Sequence, residues 1–216
     1  MRSVTAMTPL APDAIEALFI RSDGRFLFAR WGRPLAPVVF GVDDATVSVL
    51  KGAAEALCVL TGHRMAELDP ELGANLMAFF VRDWAELRET PHLDRLVPDL
   101  AGLVDRLEAA EANQYRIFRF DAAGAIRACF AFVRMDAHLA QVPAETLALN
   151  QMVQAMLLWS DAAFADASPL ALVADRAMLR PDIADLMRAA YDPVLPAMSQ
   201  DPAHALRLAA RVGRVQ

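Results

Sequence analysis

The chain has 216 residues, of which 56% are apolar and 22% are charged, and its net charge is −6. The apolar content excludes a disordered chain, because burial of that surface offsets the conformational entropy lost on folding. The acidic balance argues against a nucleic-acid-binding protein, whose surface would be basic. The high apolar content also predicts a homo-oligomer, in which copies of the chain bury part of their apolar surface against each other.

The cysteines and the chain start bear on the compartment. Cys58 and Cys129 stand alone in apolar surroundings, a pattern typical of buried free thiols in a reducing compartment. Residues 1–13 lack the apolar segment of a signal peptide, and the longest apolar runs are too short to span a bilayer. We therefore expect a cytoplasmic protein with no membrane segment.

Lys51 is the only lysine among 21 cationic side chains, a bias that favours a bacterial source with a GC-rich genome.

Residues 14–165 are predicted to form an α+β domain, preceded by a loosely ordered segment of residues 1–13. The domain begins with a β-hairpin around Asp23-Gly24, a dipeptide favoured in tight turns whose central residues have positive φ. A third strand is predicted at about residues 36–42.

Three helices are predicted next, at about residues 43–62, 69–88 and 98–112. The second of them has a capping acid, Asp69, directly before Pro70, which suits the first turn of a helix.

After the third predicted helix, apolar residues recur at every second position, which is the period of a β-strand. The segments YRIFRFD and AIRACFAFVRM flank Ala122-Ala123-Gly124 and predict a second hairpin. A helix at about residues 143–159 and a helical C-terminal extension over residues 166–216 complete the chain. The predicted fold is therefore α+β, with a mostly antiparallel sheet of about five strands (two hairpins plus one strand) covered by helices.

The second hairpin also contains FDAAGAIRACFAF, residues 120–132, which resembles the strand-turn-strand segment of PAS-type sensor domains. The resemblance spans this one turn, is shared by β-hairpins in general and identifies no family.

A short pattern, Phe-x-Phe-x-Arg, occurs once in each predicted hairpin. Its two copies end at Arg30 and Arg134, and an Arg-x-Asp pair lies upstream of each copy. One interpretation is that each hairpin buries its phenylalanines and leaves the arginine at the rim of the sheet. The other is that the arginines flank a shared apolar floor and hold an anionic or apolar ligand. The candidate ligand-binding residues are Arg30, Arg134, Arg119, Phe28 and Phe132.

Catalytic and cofactor motifs are absent from the sequence. The four histidines lie outside metal-ligand spacing, so no metal site is predicted, and no phosphate-binding or dinucleotide motif predicts a cofactor. His138, which follows the second hairpin, is the one candidate for a catalytic base. Residues 170–191 loosely resemble a helix–turn–helix, although Asp182 and Asp185 would repel DNA phosphates.

Three functional hypotheses follow. The first is a non-catalytic ligand-sensing or protein-interaction module. The second is an enzyme acting on a small anionic or aromatic substrate. The third is a regulator that binds DNA through the C-terminal helices, although the negative net charge argues against a nucleic-acid partner.

Overall fold

The computed structural model describes residues 10–212. Its helices are α1 (Pro12–Ala17), α2 (Asp44–Thr61), α3 (Glu86–Glu89), α4 (Leu93–Leu96), α5 (Leu100–Ala109), α6 (Ala144–Met156), α7 (Pro181–Ala190) and α8 (Ala203–Val212). Its strands are β1 (Phe28–Ala29), β2 (Pro37–Phe40), β3 (Leu76–Val81), β4 (Gln114–Phe120), β5 (Ile126–Arg134), β6 (Leu170–Val173), β7 (Arg176–Leu179) and β8 (Met198–Ser199). Most of the predicted loose segment, residues 1–9, lies outside the described residues, and α1 begins at Pro12.

The α+β class is confirmed, but the prediction of a mostly antiparallel five-stranded sheet is wrong. The main sheet has four strands in the order β2-β3-β5-β4. Strands β2, β3 and β5 are parallel, and β4 is an antiparallel edge strand. The predicted hairpin β4–β5 is confirmed, and Gly124 in its turn has a φ of 80°.

The first predicted hairpin is confirmed only next to its turn. Asp23-Gly24 forms a tight turn, in which Gly24 has a φ of 82°, and Ile20 pairs antiparallel with Phe26 across it. The start of the predicted first strand belongs instead to α1, which ends at Ala17. Ile15 of α1 and Phe19, which follows the end of the helix, are both fully buried. After the turn, β1 pairs with β8 instead of with its neighbour in sequence.

The predicted helix over residues 69–88 is also wrong, because its centre is strand β3. This strand is an unbroken apolar run that lies between two parallel neighbours and is covered on both faces, so it lacks the alternating pattern of a half-exposed strand. Asp69 does not cap a helix. Its carboxylate accepts hydrogen bonds from the N–H groups of Glu71 and Leu72 and closes a tight turn that ends at Gly73.

The C-terminal region is not wholly helical, and the helix–turn–helix interpretation of residues 170–191 is wrong. Its first half is the antiparallel hairpin β6–β7. The hairpin turn consists of Ala174 and Asp175, with φ values of 49° and 62°. Residues 170–191 therefore lack the helical pair on which the helix–turn–helix interpretation depended, because within that range only α7 follows the hairpin.

Two apolar cores lie on opposite faces of the main sheet. The first is formed with α1, α2, α6, α7 and α8, and the second with α3, α4 and α5. Strand β5 contributes to both, because successive side chains point to opposite faces. Its Cys129, Ala131 and Val133 face the first core, whereas Ala128, Phe130 and Phe132 face the second.

Candidate functional site

A cleft of about 860 Å³ runs along the outer edge of β4. Its walls come from β4, from α6 and from residues 158–169. Helix α6 packs on the first core through its apolar residues, but Asn150, Gln151 and Gln154 interrupt its apolar pattern. Gln154 lies four residues after Asn150 and three after Gln151, and these are the spacings of neighbouring side chains on a helix, so the three amides form one polar patch beside β4.

Arg116 of β4 is bonded to this patch. Its Nη1 donates a hydrogen bond to Oε1 of Gln154 at 2.9 Å, and its Nη2 donates to the side-chain oxygens of Gln151 and Gln114. Gln151 is only 1% exposed, and its Nε2 donates to Oε1 of Gln114 at 2.7 Å. The arginine is therefore fixed by three neutral amides, two of which are also bonded to each other.

The charge of Arg116 has no internal counter-ion. No Asp or Glu among residues 10–212 forms a salt bridge with it, and its partners are all uncharged. Burial lowers the pKa of Arg116 to about 10, so the guanidinium still carries its charge at neutral pH. A guanidinium has five N–H donors, of which the three hydrogen bonds use one on Nη1 and two on Nη2. The Nε donor is buried and has no partner among the described residues.

The edge of β4 supplies unpaired backbone groups beside this charge. The N–H of Arg134 donates to the C=O of Asn113, so these two residues form a hydrogen-bonded pair. In an antiparallel ladder such pairs alternate with non-bonded ones, so the next residues of β4 that bond to β5 are Tyr115, Ile117 and Arg119. The N–H and C=O groups of Gln114, Arg116 and Phe118 consequently face away from β5, towards the cleft. Within the described part of the chain, these groups have no backbone partner.

The second cation of the cleft is neutralised. Arg21 donates from Nη2 to Oδ1 of Asp161 at 3.0 Å and from Nη1 to the backbone oxygen of Trp159 at 2.7 Å. Asp166 also lines this wall. The opposite wall is thus neutral to acidic, and the uncompensated positive charge of the cleft belongs to Arg116.

A second cavity of about 510 Å³ adjoins the cleft at its Asn113, Gln114 and Asn150 end. It lies between α6 and the β6–β7 hairpin. Its apolar lining is formed by Leu139, Val142, Leu147, Leu170, Ala171, Leu172 and Ala177. His138, the candidate catalytic base, lines this cavity and donates its backbone N–H to Asp136.

The first copy of the Phe-x-Phe-x-Arg pattern lies in the first core. Phe28 is fully buried and its ring centroid is 4.4 Å from that of His204. Arg30 donates from Nη2 to the backbone oxygen of Leu195 at 3.2 Å and lies over the ring of Tyr191. Burial lowers the pKa of Arg30.

The second copy faces the other side of the sheet. Phe132 is fully buried in the second core, stacked on Phe79, and Arg134 donates to the backbone oxygen of Glu111. Arg119 is exposed and lies three positions from Arg116, so it projects from the opposite face of β4. The structure therefore does not bring the five candidate residues together on one apolar floor.

Sequence reasoning missed the amide patch and its arginine. The available signal was a pair of patterns: polar residues at i, i+1 and i+4 in an otherwise apolar helix, and Gln114 and Arg116 at period two in a strand. Neither pattern says which helix meets which strand.

Across the described residues, no helix combines the length and apolar character needed to cross a membrane. Residues 10–212 also hold no group of three or more His, Cys, Asp or Glu side chains placed to bind a metal ion. Comparisons of the chain with protein-family models, with curated proteins and with solved structures found no match.

Proposed function

We propose that the protein is a non-catalytic protein-interaction module that binds an extended, carboxylate-bearing peptide in the cleft along β4. The observation that carries this proposal is Arg116, a charged side chain held in the cleft by neutral amides alone. A carboxylate would supply the missing counter-charge and would accept the Nη1 hydrogen that the amides leave free. Charge-assisted hydrogen bonds of this kind are stronger than those between neutral groups.

The backbone of β4 supports an extended ligand rather than a compact one. An added strand lies about 4.8 Å from the edge strand and bonds to its outward-facing N–H and C=O groups. Gln114, Arg116 and Phe118 offer three successive sets of such groups along the cleft. A peptide strand can thus gain main-chain hydrogen bonds and the Arg116 contact at the same time.

The chemistry of the amide patch supports binding over catalysis. Asn150, Gln151 and Gln154 stand at the spacing of the His-Glu-x-x-His helix, in which the two histidines hold zinc and the glutamate acts as a base. Carboxamides have no proton to transfer near neutral pH, and they are not among the usual zinc ligands. This helix face is therefore equipped to donate and accept hydrogen bonds but not to activate water.

The experiment is a selection of binders from a random octapeptide library with amidated C-termini, followed by affinity measurements on the selected peptides. We expect Asp or Glu at one position in the selected sequences. Arg116→Gln should weaken binding by about tenfold or more, since it removes a charged hydrogen-bond donor. Arg119→Gln is the matched control, because it removes the same charge from the opposite face of the same strand. Equal weakening by both variants, or the absence of binders, would contradict the proposal.

Backbone N-methylation of the selected peptide tests the extended binding mode. A strand paired with β4 should lose affinity when every second residue is N-methylated, because alternate N–H groups face the edge strand. Uniform tolerance of N-methylation would show that the peptide does not pair with β4.

An enzyme acting on a small anionic substrate is the second candidate, favoured by the position of His138 in the adjoining cavity. It predicts turnover that is lost in His138→Ala.

A cytoplasmic homo-oligomer also remains part of the proposal. Exposed apolar side chains support it, among them Val59 and Val194, which are 84% and 74% exposed. Sedimentation velocity would test the oligomeric state.

A further inference from the structure

We infer that the cleft and the adjoining apolar cavity form one binding site, which selects a peptide with an acidic and a large apolar side chain two residues apart. This inference rests on the proposed function, and it adds the chemical class of the ligand. It is based on the arrangement of the two cavities along β4, where the charged cleft and the apolar cavity follow one another.

The two cavities share one end of β4 and one end of α6. Asn113, Gln114 and Asn150 line both of them, whereas Arg116 and Gln154 line only the cleft. Strand and helix therefore run alongside each other, from the apolar cavity at residues 113–114 to the charged cleft at Arg116.

The spacing of the two ligand groups follows from strand geometry. Residues that are paired across a ladder direct their side chains to the same face of the sheet. A ligand residue opposite Arg116 would thus direct its side chain to the α6 face, where the guanidinium lies. The next ligand side chain on that face belongs to a residue two positions away, opposite Gln114 and at the mouth of the apolar cavity. Spacings of one or three residues would direct the second side chain away from α6.

The lining of the second cavity defines the apolar side chain. A volume of about 510 Å³ accommodates a leucine or an aromatic ring, and the walls are mostly leucine, valine and alanine. Leu172 of β6 lines this cavity although it is 77% exposed. Contact with a ligand would remove that leucine from water, which favours binding in proportion to the apolar surface covered.

The test uses amidated, fluorescein-labelled heptapeptides of glycine and serine that carry one Glu and one Leu. The two residues are placed one, two or three positions apart, in both orders, and affinities are measured by fluorescence anisotropy. We expect one of the two peptides with Glu and Leu two positions apart to bind about tenfold more tightly than every peptide with another spacing. This factor corresponds to the energy of burying one leucine side chain. Replacing its Leu by Ser, or its Glu by Gln, should remove that advantage.

Protein variants identify the cavity that is used. Leu172→Ser should weaken the preferred peptide severalfold and leave the other peptides unchanged. Leu68→Ser is the matched control, because Leu68 is 68% exposed and lies outside both cavities. Since both leucines are exposed, neither change should alter the thermal unfolding midpoint.

The outcomes separate this inference from the proposed function. Binding that depends on Arg116 but not on spacing or on Leu172 would overturn the inference and leave the interaction module in place. Failure of all peptides to bind, or binding that is insensitive to Arg116→Gln, would overturn both.

Discussion

Arg116 on β4 donates a hydrogen bond to the side-chain oxygen of Gln151 on α6, so a charged group is bonded to a neutral one where a salt bridge would fit. Gln151 is almost completely buried, and burial also lowers the pKa of Arg116. A glutamate at position 151 would neutralise the guanidinium internally. With glutamine at this position, the positive charge of Arg116 stays free to attract a ligand, at some cost in the stability of the fold.

The first prediction is that Gln151→Glu stabilises the fold and abolishes peptide binding. The new carboxylate would lie within hydrogen-bonding distance of Arg116, whose desolvation is already present in the wild type. The side-chain amide of Gln114 would have to turn and donate to it, in place of the bond that it now accepts from Gln151. We expect the free energy of unfolding at pH 7 to rise on the order of 1 kcal/mol, as measured by urea denaturation. Gln200→Glu, an exposed change of the same kind, should have almost no effect. Unchanged peptide affinity in Gln151→Glu would show that Arg116 does not bind the carboxylate.

The second prediction concerns Asn75, which is fully buried where β2 meets β3. Its Nδ2 donates to the backbone oxygen of Pro34 and to Asp69, and its Oδ1 accepts from the N–H of Ala36. Asn75→Ala removes three hydrogen bonds and leaves buried partners unsatisfied, so we expect a loss of about 3 kcal/mol in urea denaturation. Asn113→Ala removes one half-buried hydrogen bond to Asp136 and should cost about 1 kcal/mol. Equal losses would contradict a structural role for the Asn75 network.

Asn75 also shows why part of the fold could not be predicted from the sequence. Asp69-Pro70 has the residue types of a helix start, and only the long-range contacts of Asn75 and the pairing of β3 with β2 and β5 exclude a helix there. The β4–β5 hairpin was predictable because its alternating pattern and Gly124 turn are local signals. Local signals therefore identified β2, β4 and β5, whereas β3, an unbroken apolar run beside a helix-start signal, was missed.

The site was missed for a related reason. Arg116 is one of many arginines, and the partner that distinguishes it, Gln154, is 38 residues away in the chain. The Phe-x-Phe-x-Arg pattern was conspicuous in the sequence, yet its two copies face different cores, because alternation within a strand does not say what covers each face.

The third prediction concerns the β6–β7 turn, which lacks the glycine or asparagine that its geometry favours. Ala174 has a φ of 49°, and its methyl group makes this left-handed conformation unfavourable. Ala174→Asn should therefore raise stability by about 0.5 kcal/mol, seen as a higher thermal unfolding midpoint. Ala177→Asn is the control, because position 177 lies in strand β7 opposite Leu172, where asparagine is unfavourable. A lower midpoint for Ala174→Asn would contradict the assigned turn.

The fourth prediction is that His204 makes the fold less stable in mild acid. His204 is fully buried at the start of α8, and neither ring nitrogen has a partner among the described residues. Its pKa is lowered to about 4, chiefly by burial and also by the nearby charges of Arg207 and Arg30, while Asp201 acts in the opposite direction. The folded protein therefore binds the proton less readily than the unfolded chain, whose histidine pKa is about 6.5.

The sign of the pH dependence follows from this difference. Between pH 6.5 and about 4 the unfolded chain binds more protons, so stability should fall as the pH falls, and it should level off for this group below pH 4. The loss is on the order of 3 kcal/mol at about 1.4 kcal/mol per pKa unit. His204→Leu should equal or exceed the wild type in stability at pH 7.5, because two unpartnered nitrogens are removed, and its advantage should grow by most of that amount at pH 4.5. His63, whose pKa is also lowered by burial, titrates in both proteins and cancels in the comparison. If urea denaturation gave parallel declines for the two proteins, a group other than His204 would be responsible.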